Sequence, residues 1–278
     1  MINIGQYNLL RVTRKTAQGL YLGDEEIEEV LLPWKYAPQE ISISDELKVF
    51  VYLDSEDRMI ATTLEPKITL HHFSYLLVKA VTQHGAFLDW GLEKDLFVPF
   101  REQRQKMIAG KSYLVYLYLD EDSERLAASS RLNRFLSNKE LTVKEGDEVE
   151  VLIWEPSDLG MNVIINQQHK GLIYHNELHA QVQAGDVRHG YISKIREDNK
   201  LDVVLQKPGY ENIEPNVEKV LQKLRERGGY LPLTDKSEPD EIAKLLEMSK
   251  KTFKKAIGSL YKQRLIRLEE DGIYLKKS

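Results

Sequence analysis

The chain has 278 residues, 42% of them hydrophobic and 30% charged, with a formal net charge of −5 and no cysteine. That length allows two or more domains, and the composition is that of a globular protein rather than a disordered one. It excludes a disulfide framework, thiolate chemistry and cysteine-based zinc sites, and no apolar run is long enough to span a bilayer.

The N-terminus, MINIGQYNLLRVTRK, lacks the charged, apolar, small-residue order of a secretory signal, so a cytoplasmic location is expected. Charge is uneven along the chain: residues 207–278 carry 16 Lys+Arg against 12 Asp+Glu, which leaves the remainder strongly acidic. Overall acidity argues against indiscriminate nucleic-acid binding. A local groove stays open, because binding follows local potential.

An internal repeat organises the first two thirds of the chain. Gly19-Leu20-Tyr21-Leu22 and Val30–Lys35 match Gly85-Ala86-Phe87-Leu88 and Leu96–Arg101 at an offset of 66. Downstream, Val49–Asp54 pairs with Val115–Asp120, and Arg58–Thr63 with Arg125–Ser130. A more divergent third copy follows at an offset of 75, through Gly160–Val163, Gly171–Glu177 and Gly185-Asp186. Runs rich in Val, Leu, Tyr and Phe between Gly, Asp, Glu and Ser turns predict five short strands per copy. A short helical segment is expected after the third strand (101–107 in the second copy). Five strands and a short helix in about 66 residues suit a closed barrel of oligonucleotide-binding type.

Residues 211–278 change character. Val217, Val220, Leu221 and Leu224 make a helical stripe ended by Gly228-Gly229. A short strand, YLPL, follows, and Ser237 reads as the N-cap of a second helix. Ser249 caps a third helix running to about Gln263, and Asp271-Gly272 marks a hairpin turn. Three helices and a hairpin predict a winged helix-turn-helix. On the third helix Phe253, Ile257 and Leu260 share one face and Lys251, Lys254, Lys255 and Lys262 the other. That lysine face suits phosphate contact without base reading; a solvated face or interdomain packing are the other readings.

These residues resemble a known family. A glycine-small-aromatic-aliphatic strand, then Gly171-Leu172-Ile173-Tyr174-His175-Asn176-Glu177-Leu178, then Gly185-Asp186, resembles the S1-type RNA-binding domain of the oligonucleotide-binding fold. Three such units and a winged helix resemble the bacterial conserved virulence factor B family, also called YitL-like, over essentially the whole chain. The resemblance implies a mostly β chain of three tandem barrels, 1–66, 67–138 and 139–210, with a C-terminal α+β winged-helix domain at 211–278. It also implies binding of single-stranded RNA and post-transcriptional regulation of gene expression. The family's aromatic before the strand glycine is replaced here by Gln18, His84 and Leu159, and the aromatic two residues after it by Asn162 in the third copy. A histidine common before the short helix is replaced by Pro33, Pro99 and Tyr174.

The expected RNA-binding residues are Tyr21 and Phe87 as stacking faces, His84 as a stacking or phosphate group, and Arg58, Arg125 and Lys200 as repeat-equivalent cations. Tyr174 and His175 join them from the best-kept third strand, and Lys251, Lys254, Lys255 and Lys262 from the winged helix. The barrel aromatics suit a core equally well, the arginines suit solvated hairpin ends, and Trp34 and Phe100 read as barrel plugs. No metal or cofactor is expected: His175-Asn176-Glu177-Leu178-His179 has its glutamate in the wrong place for a zincin motif. No GxSxG, phosphate-loop or dinucleotide motif occurs, so no enzyme is predicted. A monomer is expected. A duplex-DNA regulator led by the winged helix, and a scaffold whose acidic surface meets a ribosomal or polymerase component, stay open as alternatives.

Overall fold

The computed structural model describes residues 1–24, 28–178, 182–205 and 215–276. The chain divides into two compact units, Met1–Leu205 and Gln206–Ser278. The boundary expected after residue 210 lies outside the described residues, as does His179.

The first unit holds the three repeats. Copy one contributes β1 (Tyr7–Lys15), β2 (Gly19–Asp24), β3 (Glu28–Pro33), β4 (Glu46–Leu53) and β5 (Met59–Thr62). Copy two contributes β6 (Phe73–Val81), β7 (Gly85–Asp89), β8 (Leu96–Pro99), β9 (Ser112–Asp120) and β10 (Arg125–Ser129). Copy three contributes β11 (Glu148–Ser157), β12 (Gly160–Ile165), β13 (His169–Tyr174), β14 (Val187–Ile195) and β15 (Leu201–Val204). Copies one and three close into barrels, in the orders β1-β2-β3-β5-β4 and β11-β12-β13-β15-β14.

Copy two lacks the closing ladder of the expected barrel, although β8 and β10 still lie side by side. Its five strands form a sheet in the order β10-β9-β6-β7-β8, without a ladder between β8 and β10. The parallel seam is the weakest joint of this topology. It is a single pair, Leu31 with Ile60, in the first barrel, and two pairs, Gly171 with Leu201 and Leu172 with Asp202, in the third. The corresponding residues of copy two are Phe97 and Ala127. The Phe97 ring packs on Phe87, at 5.2 Å between centroids.

Each copy begins its second strand with a glycine for the same steric reason. A Cβ at Gly19, Gly85 or Gly160 would stand 2.1, 2.4 or 1.9 Å from the carbonyl oxygen of Leu32, Val98 or Ile173 on the neighbouring strand. The glycine therefore lets two strands approach closely.

The predicted helix after the third strand is only one 3-10 turn in each copy: Trp34–Tyr36, Phe100–Glu102 and His175–Glu177. Trp34 and Phe100 do not plug the barrels. They are 43% and 41% exposed, and the Trp34 indole donates to the Thr16 carbonyl at 3.0 Å. The plugging side chains are Tyr36 and Met107, both buried in the barrel cores.

The repeats pack on each other through apolar surface. β4 is apolar on consecutive residues, the mark of a strand covered on both faces. Val49 and Val51 fill the first core, whereas Phe50 and Tyr52 join the core of copy two. There the Phe50 and Tyr52 rings meet Trp90 edge-on at 5.9 and 6.1 Å. Between copies two and three, Phe73, Leu114, Leu132, Leu136, Leu152 and Ile164 form a further cluster, and the Phe73 N–H donates to the Gln167 side chain at 2.7 Å.

The second unit comprises α1 (Pro215–Glu226), β16 (Tyr230–Leu231), α2 (Pro239–Leu246), α3 (Lys250–Lys262), β17 (Ile266–Leu268) and β18 (Ile273–Leu275). Its strands form a sheet in the order β16-β18-β17. The apolar stripes of all three helices enter one core with Leu231, Ile266 and Ile273. Ser237 is not the N-cap of α2: Glu238 takes that position, and the Ser237 hydroxyl accepts from the Thr234 N–H at 2.9 Å in the preceding turn. Ser249 does cap α3, accepting from the Thr252 N–H at 3.1 Å. Ser249→Ala should cost about 1 kcal/mol, read as a lower denaturant midpoint for the second unit. An unchanged midpoint would mean that water replaces the cap without loss.

Candidate nucleic-acid interface

Strand register places one outward position of the second strand in equivalent surroundings three times. Tyr21 lies between Arg14 on β1 and Leu31 on β3. Phe87 lies between Ala80 and Phe97, and Asn162 between Glu155 and Leu172. A bulge precedes the first-strand partner in each copy, between Val12 and Arg14, Val78 and Ala80, and Ile153 and Glu155. Bulges increase local twist and re-aim side chains, so the sheet curls around this position.

Two of these surfaces are concave. In copy two a cavity of about 570 Å³ is lined by Phe87, Phe97, Leu126, His84 and Arg125, with Tyr52 of the first barrel. In copy three a cavity of about 610 Å³ occupies the repeat-equivalent place, lined by Asn162, Leu172, Tyr174, Arg196, Lys200 and Asp202. Both are within the size range of small-molecule sites.

Tyr21 is half-buried, and the Arg14 guanidinium lies 3.6 Å above its ring. Arg14 also donates to Glu29 at 2.7 Å. That bond holds the Glu29 carboxyl below its usual range and raises the guanidinium. A base approaching Tyr21 meets the flat cation first. Phe87, paired with Phe97, is the open aromatic face. His84 is exposed on the rim, 3.0 Å from the Gln83 amide.

The predicted barrel cations all have carboxylate partners. Arg58 donates twice to Asp54, at 3.0 and 2.8 Å, and lies 3.0 Å from Glu56. Lys200 is 2.6 Å from Asp198. Arg125 reaches across to Asp57 on the β4–β5 hairpin of the first barrel, and Lys94 approaches the same carboxylate at 3.7 Å. Tyr174 lines the third cavity, where the Arg196 guanidinium sits 5.5 Å from its ring and donates to its hydroxyl. The Arg196 Nε–H is also shared between the two Asp202 carboxylate oxygens, at 3.1 Å to each, and this bond raises the guanidinium pKa. His175 is exposed on the 3-10 turn after β13, its N–H on the Leu159 carbonyl at 3.2 Å.

The structure thus brings His84, Phe87 and Arg125 to one groove, and Tyr174 and Lys200 to another. Tyr21, Arg58 and His175 stand outside both linings. Lys251, Lys254, Lys255 and Lys262 are exposed on α3 in the second unit, opposite the buried Phe253, Ala256, Ile257 and Leu260. Sequence reasoning passed over Phe97, Arg14, Arg196 and Tyr52. Phe97 had a signal, because it alternates with the inward-facing Leu96 and Val98 of LFVPF. Tyr52 had none, since it belongs to a different repeat.

Among the described residues there is no cluster of three or more His, Asp or Glu side chains able to hold a metal, and no helix is long and apolar enough to cross a membrane.

Comparison with known proteins agrees with this arrangement. The S1 domain model matches residues 4–64 and 72–130, and the CvfB-like winged helix domain model matches residues 218–275. The uncharacterized protein YitL of Bacillus subtilis is 27% identical, over 98% of this chain and 94% of its own. Conserved virulence factor B of Staphylococcus epidermidis is 26% identical, over 86% of this chain and 82% of its own. A crystal structure from Streptococcus pneumoniae, described as a multidomain protein with nucleic acid binding domains, aligns over 98% of both chains at 22% identity and a TM-score of 0.45. Two S1 domains, a third barrel of the same strand order and a CvfB-like winged helix follow one another here, in a chain that matches these relatives along most of its length, and the chain therefore belongs to the conserved virulence factor B family.

Proposed function

We propose that the protein binds single-stranded RNA and acts in post-transcriptional regulation of gene expression, without covalent chemistry. The observation that carries this reading is the pair of repeat-equivalent grooves on copies two and three, each joining an aromatic face to guanidinium and ammonium groups. Phe87 and Phe97 present π-faces that an unstacked base can meet, and paired bases in a duplex cannot reach them. The outward residues of α3 named above are lysines, which attract phosphate and read no base edge. This favours RNA over a sequence-specific DNA operator. The test is a titration of the full chain with single-stranded RNA and with duplex DNA across a salt series. Tighter, sequence-selective duplex binding would overturn the reading, and failure with both would favour a scaffold.

One prediction concerns the rim. Exposed ion pairs contribute about 0–1 kcal/mol, so a phosphate can displace Asp57 from Arg125. Asp57→Asn should strengthen RNA binding and steepen the slope of log K against log salt by about 0.7, the value for one more phosphate on a single strand. Weaker binding by this variant would show that Asp57 positions Arg125 rather than competing for it.

A further inference from the structure

The second unit carries a cluster that neither the lysine face of α3 nor the barrel grooves account for. A groove of about 740 Å³ lies against the β16-β18-β17 sheet, lined by Tyr230, Tyr274, Arg225, Arg267 and Lys276 around Gly228-Gly229. Tyr230 and Tyr274 are cross-strand partners, their rings 4.8 Å apart and tilted by 35°. Both hydroxyls are tied to one residue: Tyr230 donates to the Asp271 carbonyl at 3.0 Å, and Tyr274 to the Asp271 carboxylate at 2.6 Å. The rings are therefore held at their far ends while their bodies line the groove. The bond to Asp271 also raises the Tyr274 pKa to about 12.

Three cations surround this wall. The Arg267 guanidinium sits 5.9 Å from the Tyr274 ring, and its contact with Glu269 is long, 3.8 Å, between two exposed side chains. Arg225 arrives from the last turn of α1 and Lys276 from the end of β18. The floor is open, because a Cβ at Gly228 would meet nothing within 4 Å. Flat aromatic walls beside guanidinium groups match an unstacked base with its flanking phosphates.

We infer that this cradle is a separate single-strand site: a nucleobase of RNA lies against Tyr230 and Tyr274 while the adjoining phosphates meet Arg225, Arg267 and Lys276. The inference rests on the single-stranded RNA reading above. It assigns a contact surface of the winged-helix unit to its sheet rather than to α3 alone. An acidic peptide is the competing ligand, but it would use the cations and leave the paired rings without a role.

The experiment uses the full chain and a fluorescein-labelled oligouridylate, followed by anisotropy across a salt series. Tyr274→Leu should weaken binding about fivefold or more. Tyr274→Phe, which keeps the ring but releases its tether to Asp271, should retain more affinity than Tyr274→Leu. Arg267→Ala with Lys276→Ala should make the slope of log K against log salt shallower by about 1.4, for two phosphates on a single strand. Wild-type affinity and slope in both the leucine variant and the double variant would overturn the cradle. So would capture of polyglutamate that these variants abolish while RNA binding stays unchanged. If only Phe87→Ala weakens RNA binding, the cradle alone fails. If the wild-type chain has no affinity for the oligouridylate, the proposed function fails with it.

Discussion

Phe87→Ala should lower the affinity for single-stranded RNA, under the proposed function, roughly 5- to 150-fold, the 1–3 kcal/mol that one base–aromatic stack is worth on truncation. The expectation rests on geometry that distinguishes Phe87 from its repeat equivalents. Tyr21 is roofed by Arg14 at 3.6 Å, and the third copy has Asn162 at this position. Phe87 alone of the three joins a second ring, Phe97, in the wall of a cavity. Tyr21→Ala should therefore have the smaller effect on RNA, and an Arg14→Ala partner should enlarge it by uncovering the ring. Because stacking is a neutral interaction, Phe87→Ala should leave the salt slope unchanged. A Phe87→Ala variant that binds like the wild type, with Phe97→Ala equally silent, would remove stacking in copy two from the mechanism.

Gly160→Ala should destabilise the first unit by about 3 kcal/mol, the upper part of the ordinary range for single substitutions. In a unit of this size that is a fall in melting temperature of roughly 6–12 °C. The cause is the carbonyl oxygen of Ile173, 1.9 Å from where the new Cβ would stand. β12 and β13 are paired in register from Gly160 with Tyr174 to Ile165 with His169, so neither strand can withdraw without losing ladder bonds. Gly146→Ala is the control. Its φ of +88° is strained for alanine, but a Cβ there would meet nothing within 4 Å. It should cost about 1–2 kcal/mol, the backbone contribution of a left-handed alanine. Equal melting of the two variants would mean that the strand contact relaxes, and that steric approach does not explain the repeated glycine.

Much of the fold was legible because it recurs. Gly19, Gly85 and Gly160 could be aligned by offset alone, and the five strands of each copy followed from apolar runs between turn residues. The C-terminal helices were legible through their 3.6-residue stripes and the Ser249 cap. The misreadings have local causes. Ser237 looks like an N-cap in sequence, but Pro239 stands at the first helical turn and moves the cap to Glu238. Trp34 and Phe100 looked like plugs because large aromatics usually are; the chain turns them outward and inserts Tyr36 and Met107.

The candidate site was legible only in part. Phe87 and Tyr174 line cavities. The electrostatics were not legible, because Arg125 and Asp57 are 68 residues apart in the chain and meet only when two barrels pack. Tyr52 and Trp90 likewise carry no motif: each reads as one more apolar strand residue until the junction between the repeats exists.

The sequence by itself determined the repeat, the strand and helix periodicities, the winged helix and the outward position shared by Tyr21 and Phe87, because these depend on local backbone sterics and on which residues alternate between core and solvent. Only the tertiary structure decided that the middle copy lacks a closing ladder, that the grooves lie on copies two and three, and which carboxylate holds each cation. Those outcomes depend on contacts between residues far apart in the chain, where a few ångströms of packing determine whether a ring faces a cavity, a guanidinium or another core.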